Sequence, residues 1–375
     1  MSLRVLIAPD KFKGTLTATQ AAEAIAEGWR QTRPADQLEL LPISDGGEGF
    51  GELLGRRLGA QEQAVATVDA AHRPLRAKWW WEPRRRIAVV ESAQAIGLAL
   101  LPPGQFHPFA LDTFGLGAVL RAAAQKHPRV CFVGIGGSAT NDGGFGLARA
   151  LGWSFIGRSG RPVEQWTQLG ELARIVRPAR PLALRRLRVA VDVRARLLGR
   201  WGATRVFGPQ KGIRPADLKP AERCLRRLAR LVNEQMRLGA DPSKLPGSGA
   251  AGGLGFGLRV FAGGLLEPGF GLFAGQTALK QHSREADLII TGEGQIDQTS
   301  VLLGKGVGWL ARWAARWHKP CLGLAGAVAG RRVTRQYFSE LLAIVPALAT
   351  PEAAMAEPAR WLRELARQAA AGVKT

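Results

Sequence analysis

The chain has 375 residues, of which 46% are hydrophobic and 47 are glycine. This composition predicts a folded chain of one large domain or two smaller ones with many tight turns, and it excludes a disordered or low-complexity protein. The formal net charge of +22 favours a polyanionic partner when taken alone, but the arginines are scattered and no zinc finger, RNP-like motif or basic zipper accompanies them.

The cysteines and the hydropathy pattern indicate where the protein works. Cys131, Cys224 and Cys321 are far apart and contain no C-x-x-C pair, so they predict neither a disulfide framework nor a zinc site. No uncharged stretch approaches the roughly 18 residues that a membrane-spanning helix needs, and the N-terminal apolar run is too short for a signal peptide. We therefore expect a cytoplasmic protein without a membrane partner.

The N-terminal segment predicts a strand, a loop and a helix. Leu3 to Ala8 is an apolar run typical of a buried strand, and the loop after it contains Asp10 and Lys13. The T-x-x-Q sequence that starts at Thr17 is a capping box, and the apolar residues after it recur at helical spacing. Asp10 and Lys13 thus follow the carboxyl end of a predicted strand.

The same order of elements returns in the next segment. Leu38 to Ile43 predicts a second strand, which ends in the sequence S-D-G-G-E-G. Asp45 and Glu48 form a D-x-x-E pattern before a helical segment, and this pattern suits a helix cap as well as a ligand site. The three glycines between and around them favour the ligand site.

The sequence pattern changes at residue 63, where alternating segments typical of β-strands begin. Three alternating segments, Ala64 to Val68, Leu75 to Trp81 and Ile87 to Glu91, predict a small antiparallel or mixed sheet and the start of a second domain. The run of three tryptophans from Trp79 has period two in a strand, so we expect it to alternate between two faces rather than to stack nucleic-acid bases.

The richest loop follows a predicted strand at Val130 to Ile135. It contains Gly136, Gly137 and Ser138, and several glycines let a backbone approach a phosphate closely, so it predicts an anion cradle. The loop also matches the dinucleotide pattern G-x-G-x-x-[GA], which makes a nicotinamide-dependent hydroxy-acid dehydrogenase an alternative. The acid expected about 20 residues further on is absent.

Further along, Leu187 to Val193 predicts a buried strand that contains Asp192 near its end. An acid in an apolar run is uncommon unless a group pairs with it. The sequence F-G-P-Q-K-G around Lys211 comes next, then an arginine-rich helix, and then a glycine-rich segment from Gly249 to Gly253 that we interpret as a second backbone cradle.

The last hundred residues predict alternating strands and helices. Asp287 to Thr291 is a strand that ends in a loop with Glu293 and Asp297, and Lys305 stands at the start of a helix. Two more strands and a closing helix from Pro351 follow. Both chain ends therefore predict one discontinuous Rossmann- or flavodoxin-like parallel domain, residues 1–62 and 275–375, with an inserted mixed α/β domain at residues 63–274.

Several carboxylates and both glycine loops follow predicted strand ends, where ligands bind in parallel sheets. Carboxylates near phosphate-binding loops suit a magnesium ion, which takes one or two carboxylates together with phosphate oxygens. A cradle, a metal, a cation and an acid that accepts a proton are what phosphoryl transfer needs. Neither a Walker P-loop nor the protein-kinase motifs are present.

Six motifs in order together resemble the bacterial glycerate kinase family. They are APDKFKGTL (residues 8–16), SDGGEG (44–49), GIGGSATNDGG (134–144), FGPQKG (207–212), GAAGGLG (249–255) and TGEGQID (291–297). The resemblance covers essentially the whole chain. It implies ATP-dependent phosphorylation of D-glycerate, at the 2-hydroxyl more than at the 3-hydroxyl, on two α/β domains with the active site in the cleft between them.

Carried over to this sequence, the resemblance implies a role for each motif. Asp192 or Asp45 is the candidate base, with Lys13 as a further catalytic residue. Candidate magnesium ligands are Asp45, Glu293 and Asp297. Candidate nucleotide-binding residues are Gly136, Gly137, Ser138, Gly249, Gly252, Gly253 and Lys305. Candidate substrate-binding residues are Asp10, Lys211, Asn141 and Asp142.

The sequence departs from the family pattern after Asp192, where Arg194-Ala195-Arg196 replaces the usual Thr-Asn-Pro. An arginine there could still bind a carboxylate or phosphate bidentately. Three functions thus stay open: a glycerate kinase with ATP, Mg²⁺ and D-glycerate as partners, a dehydrogenase, and a basic polyanion-binding protein. For the kinase we expect no specific nucleic-acid partner and a monomer or homodimer.

Overall fold

The computed structural model describes residues 2–236, 238–298, 300, 305–330 and 335–373. The chain divides into two compact units, Met1–Asp45 with Phe270–Thr375 (unit 1) and Gly46–Gly269 (unit 2). Residues 46–62, which we expected in the first domain, thus belong to the second, and the return to unit 1 comes at residue 270 rather than 275.

The elements are numbered here in chain order. The strands are β1 (Arg4–Ile7), β2 (Gln37–Leu40), β3 (Gln61–Val68), β4 (Pro74–Glu82), β5 (Ile87–Glu91), β6 (Val130–Gly134), β7 (Ser154–Gly157), β8 (Leu172–Val176), β9 (Leu187–Val191), β10 (Leu265–Pro268), β11 (Leu288–Ile296), β12 (Cys321–Val328) and β13 (Glu340–Val345). The helices are α1 (Ala18–Thr32), α2 (Phe50–Leu58), α3 (Ala93–Ile96), α4 (Leu116–Gln125), α5 (Phe145–Ala150), α6 (Ala203–Phe207), α7 (Leu218–Met236), α8 (Ala250–Phe261), α9 (Gly269–Thr277), α10 (Leu279–Glu285), α11 (Gly306–Arg316), α12 (Pro351–Ala356) and α13 (Pro358–Gly372).

Unit 1 is built on a parallel sheet with the strand order β13-β12-β11-β1-β2. Its strands come from both ends of the chain, which confirms the predicted Rossmann-like sheet. α1 and α13 pack against each other so closely that a Cβ on Gly28 would lie 2.0 Å from the carbonyl oxygen of Arg363. The Thr17 capping box is present, because the Thr17 hydroxyl accepts the N–H of Gln20 and the Gln20 side chain accepts the N–H of Thr17.

Unit 2 contains a mixed sheet with the order β10-β9-β6-β5-β4-β3, in which β3, β4 and β5 pair antiparallel and β5, β6, β9 and β10 pair parallel. This confirms the predicted mixed α/β architecture. Trp79 and Trp81 are buried in one core cluster, whereas Trp80 packs on α2, so the three tryptophans alternate between the two faces of β4 as expected.

The packing of α2 against β4 explains why residues 46–62 belong to unit 2. A Cβ on Gly51 would lie 2.0 Å from the Trp80 ring, and one on Gly55 would lie 2.7 Å from it. The helix is therefore seated directly on β4. The prediction from strand and helix order alone missed this contact, since it depends on two glycines that admit an indole ring.

Two predicted strands end earlier than expected, β2 at Leu40 rather than Ile43 and β9 at Val191 rather than Val193. Two further elements differ in other ways. β11 was expected to end at Thr291, but it continues to Ile296 because residues 292–296 pair with β12, so Glu293 lies inside a strand rather than beyond it. The closing helix is interrupted at Glu357, and Pro358, which has no N–H to donate, starts α13. No helix in the described ranges is both long and apolar enough to cross a membrane.

Candidate active site

In unit 1, three carboxylates gather near the carboxyl end of β1. Asp10 follows β1, and its N–H donates to the carbonyl of Gly292 in β11 (2.8 Å). Burial raises the pKa of the Asp10 carboxyl well above its usual range, and repulsion from Asp45 and Glu293 raises it further. Carboxylates that repel one another in a buried place have the electrostatics of a cation site.

Glu293 is a buried carboxylate of this group, like Asp10. It is 9% exposed, its buried Oε1 makes no hydrogen bond to any residue that the structure describes, and its Oε2 lies 3.4 Å from the Nζ of Lys305. Burial raises the pKa of Glu293, although the Lys305 charge opposes this shift. Lys305 occupies the N-cap position of α11, as the sequence predicts. Burial lowers the pKa of Lys305, but the attraction of Glu293 outweighs this effect, so the pKa is raised overall.

Asp297 and Lys13 lie at the borders of this group. Asp297 follows β11, and its Oδ1 accepts the N–H of Ser300 (3.0 Å), so it closes a turn while its charge acts on Lys305. Lys13 is exposed in a tight turn between Phe12 and Leu16. Unit 1 thus brings together Asp10, Asp45 and Glu293 with Lys305. It leaves the Lys13 side chain in solvent.

In unit 2, the segment Gly46–Gly49 lies over the carboxyl ends of three strands. The N–H of Gly136, after β6, donates to the carbonyl of Gly46 (3.0 Å), and a Cβ on Gly46 would meet the Ala190 carbonyl of β9 at 2.8 Å. From the end of β5, Glu91 accepts hydrogen bonds from the N–H groups of Gly49 and Gly51. The segment is therefore fixed by β5, β6 and β9 together.

This packing offers a second explanation for the glycines of the loop at Gly136 to Ser138, which the sequence predicts to be a phosphate cradle. A Cβ on Gly136 would lie 2.5 Å from the Cα of Gly47, and one on Gly137 would lie 3.1 Å from the Cγ of Glu48. The Ser138 hydroxyl is buried and lies 2.8 Å from that of Thr140. Close approach of two protein backbones accounts for these glycines without a ligand, and phosphate binding by this loop stays a prediction.

Asn141 and Asp142 are fully buried. The Asn141 amide donates to the hydroxyl of Thr204 (3.0 Å), and the Asp142 carboxylate accepts the Thr113 hydroxyl (2.7 Å) and the N–H of Gly146 (2.8 Å) at the start of α5. Burial raises the pKa of Asp142 to about 6 despite these hydrogen bonds. Both residues shape the loop from inside, so direct contact with substrate requires a different arrangement of this loop.

Lys211 and Asp192 lie near each other in unit 2. Lys211 is 8% exposed, and its Nζ donates to the carbonyl of Thr140 (2.7 Å). Burial lowers the pKa of Lys211 to about 8, while the charges of Asp142 and Asp192 oppose that shift. Asp192 is exposed directly after β9. The structure thus places a buried ammonium within electrostatic reach of an accessible carboxylate, next to the exposed Arg194.

The second glycine segment forms a left-handed turn at the start of α8. Ala251, Gly252 and Gly253 have φ of 54°, 67° and 89°. A Cβ on Gly249 would lie 2.1 Å from the Arg196 carbonyl oxygen, and one on Gly252 would lie 1.9 Å from that of Thr140. These glycines bring the segment against the Asp192 and Asn141 loops, so nucleotide binding by Gly249, Gly252 and Gly253 stays a prediction.

The sequence analysis missed Glu91. It is an acid at the carboxyl end of a buried strand, which is the same signal that drew attention to Asp192. The D-x-x-E pattern pointed instead to Asp45 or Glu48 as the cap of α2. In the structure the N-cap is Gly49, with φ of 87° and no capping side chain of its own.

The arrangement in both units, carboxylates and lysines beside glycine-rich turns at strand ends, is that of an enzyme acting on anionic small molecules. A model of the glycerate kinase family matches residues 5–374. A glycerate kinase from Halalkalibacterium halodurans is 36% identical over 98% of this chain and 97% of its own length, and a glycerate 2-kinase from Escherichia coli is 34% identical over 87% and 86%. A solved chain from Salmonella typhimurium LT2, described as a glycerate kinase 2, superposes with a TM-score of 0.79 at 32% identity and covers 99% of this chain and 98% of its own.

The chain therefore belongs to the glycerate kinase family, and it is an enzyme of that class. The ordered motifs of the sequence analysis predicted this family correctly. The dehydrogenase alternative had rested on a single glycine pattern.

Proposed function

We propose that this kinase transfers the γ-phosphoryl group of ATP to the 2-hydroxyl of D-glycerate and releases 2-phosphoglycerate and ADP. The observation that carries the proposal is that buried Lys211 lies within electrostatic reach of Asp192, which is exposed directly after β9. A buried ammonium attracts an anionic reactant, and an exposed carboxylate can accept the proton of a hydroxyl that binds beside it. The 2-position is supported by the Escherichia coli relative, which carries the name glycerate 2-kinase.

In the proposed reaction, Asp192 accepts the proton of the glycerate hydroxyl. That oxygen forms a new bond to the γ-phosphorus, and the bond from phosphorus to the bridging oxygen of ADP breaks. Lys211 neutralises the reacting phosphoryl group or the glycerate carboxylate. The guanidinium of Arg194 is proposed to bind whichever of these two anions Lys211 does not neutralise.

The residues of unit 1 fit a magnesium ion in part. Glu293 offers a buried oxygen that is hydrogen-bonded to none of the described residues, and its charge and that of Asp45 both disfavour ionisation of Asp10. Among the described residues, however, no three His, Cys, Asp or Glu side chains stand close enough together to hold a metal by themselves. Asp45, Glu293 and Asp297 would therefore hold the ion together with phosphate oxygens, which is how Mg²⁺ is usually bound. When bound, Mg²⁺ neutralises the negative charge of the phosphates.

The nucleotide is proposed to use Gly136 to Ser138, Gly249 to Gly253 and Lys305. Asp10 is proposed to bind substrate by hydrogen bonding, and Lys13 to move onto the phosphates from its exposed turn. Asn141 and Asp142 are proposed to support substrate binding through the loop that they hold. A cytoplasmic location is also proposed, and it is supported by three cysteines that are all free and buried.

The test is an assay of ADP release with ATP, Mg²⁺ and D-glycerate, in which product detection is coupled to enolase. A prompt enolase signal means 2-phosphoglycerate. A signal that waits for added phosphoglycerate mutase means the 3-hydroxyl and contradicts the proposed position. In the same assay, folded D192N is expected to turn over about 100-fold more slowly if Asp192 is the base. Near-normal turnover would remove Asp192 from that role.

A further inference from the structure

The Glu91 carboxylate has no part in the proposed chemistry, yet it is 2% exposed at the end of β5. Its Oε1 accepts the N–H of Gly49 (3.1 Å), and its Oε2 accepts the N–H of Gly51 (2.9 Å). The first N–H groups of a helix have no acceptor within the helix. Glu91 supplies acceptors at the N-cap and in the first turn of α2, where a negative charge also interacts favourably with the helix dipole.

The segment that Glu91 holds carries an exposed acid of the S-D-G-G-E-G motif. Glu48 lies between Gly47, which packs on Gly136, and Gly49, which Glu91 binds. The Glu48 side chain is exposed and stands against Gly137. The same segment follows Asp45 directly in the chain.

We infer that Glu91 is a positioning residue for the kinase reaction. By binding the backbone of Gly49 and Gly51, it keeps the segment Gly46–Gly49 in one conformation and so fixes Glu48 beside the loop at Gly136 to Ser138. The inference rests on the proposed function, since it assumes that these two loops serve the reactants. A carboxylate is required because it accepts two N–H groups, whereas a glutamine would turn one N–H of its own toward a backbone N–H.

Glu82 offers a matched control in the same unit. It is 6% exposed, its Oε1 accepts the N–H of Arg84 (3.0 Å), and its Oε2 accepts that of Arg85 (2.5 Å). These bonds close the turn between β4 and β5, at the end of β5 opposite to Glu91. E82Q therefore makes the same chemical change to a buried carboxylate that binds two backbone N–H groups, but away from the reactive loops.

The experiment compares wild type, E91Q, E91D and E82Q in full-length enzyme. It measures kcat by ADP release, the Mg²⁺ concentration that gives half-maximal rate, and hydrogen exchange of the peptide that covers residues 46–52. For E91Q we expect at least a tenfold lower kcat, a higher Mg²⁺ requirement and faster exchange in this peptide. E91D, which keeps both acceptor oxygens, is expected to recover part of kcat, and E82Q to stay within twofold of wild type.

Two results would overturn the inference. One is a kcat in E91Q that falls no further than in E82Q, since Glu91 would then act only on stability. The other is faster exchange of residues 46–52 in E91D at an unchanged kcat, and this comparison also decides the matter if E91Q does not fold. ADP release does not depend on which hydroxyl is phosphorylated. A wild-type product of 3-phosphoglycerate would therefore contradict the proposed position and leave the Glu91 comparison valid.

Discussion

Lys211 shows how a single residue can be unfavourable for the fold and useful for the reaction. Its ammonium is buried, it donates to the Thr140 carbonyl, and the charged groups that act on it are Asp142 and Asp192. Burial lowers its pKa to about 8, so the fold disfavours the charged form that an anionic substrate would stabilise. The folded state therefore holds the Lys211 proton more weakly than the unfolded chain does.

The pH dependence of stability follows from this difference. Between pH 8 and 10.5 the unfolded state binds more protons at Lys211 than the folded state, so the unfolding free energy rises with pH in this window. Relative to K211M, which has no proton to lose, wild type should gain about 2 kcal/mol in unfolding free energy between pH 7 and pH 10. Urea denaturation of both proteins at the two pH values measures this gain.

The activity of the same variant separates the two roles of Lys211. K211M is expected to lose most of its glycerate-dependent ADP release at every pH, although it removes a buried charge. If the unfolding free energies of wild type and K211M differ by the same amount at pH 7 and pH 10, Lys211 is not buried as described. Full activity of K211M would remove it from substrate binding.

At this scale, the sequence predicted which residue types matter better than it predicted what they contact. Asp192 was visible in the sequence as an acid near the end of an apolar run, but the strand ends at Val191, two residues earlier than expected, so Asp192 follows it. Asn141 and Asp142 lie in the same motif as Gly136, and nothing local reveals that they are buried and bonded to Thr204 and Thr113. Those partners come from other segments of unit 2, which only the fold brings together.

At the scale of elements, local patterns predicted the existence of strands and helices, and contacts with neighbours decided where they end. The Thr17 capping box is complete within four residues, so the start of α1 was readable. β11 continues through a sequence with two glycines because β12 supplies a partner as far as Val328. α2 belongs to unit 2 because Gly51 and Gly55 admit Trp80, a relation across 25 residues or more that no local pattern contains.

The contact between α2 and Trp80 can be tested with G51A. Alanine is normally better than glycine inside a helix, by up to about 1 kcal/mol. Here its methyl group would lie 2.0 Å from the indole, so we expect the opposite sign, a loss of about 1–3 kcal/mol in unfolding free energy. Chemical denaturation measures the change.

G170A is a suitable control in the same unit, because a Cβ at this position meets no atom of the described residues within 4 Å. It should change the unfolding free energy by less than about 0.5 kcal/mol. G51A should also be less harmful when Trp80 is replaced by leucine, which leaves room for the methyl group. Equal losses in both backgrounds would show that the indole is not the obstacle.

At the scale of the whole molecule, the rhythm of strands and helices at both chain ends predicted a parallel sheet closed by distant segments, and β1 indeed pairs with both β2 and β11. Ordered motifs over nearly the whole chain predicted the family. The exact boundary between the units could not be predicted from the order of strands and helices, because it depends on the packing of α2 against β4.

The net charge of +22 is the one global property that the kinase function leaves unused. On α7, Arg223, Arg226 and Arg230 form an exposed stripe, but Arg226 pairs with Glu222 (3.3 Å) and Arg230 with Glu234 (2.7 Å). A solvated face of this kind attracts phosphates without reading bases. The charge therefore predicts weak, sequence-independent attraction to nucleic acid that salt removes.

We expect duplex DNA to retain the protein at about 50 mM salt and to release most of it at about 200 mM, with dissociation constants weaker than about 1 μM at physiological salt. Retention on immobilised DNA duplexes of two unrelated sequences, at both salt concentrations, measures this. Because Arg223, Arg226 and Arg230 are not among the proposed catalytic, metal-binding, nucleotide-binding or substrate-binding residues, DNA added at 150 mM salt should leave glycerate-dependent ADP release unchanged. Tight binding to one of the two sequences at that salt concentration would instead revive the polyanion-binding function as a second activity of the chain, with the α7 stripe as the first surface to mutate.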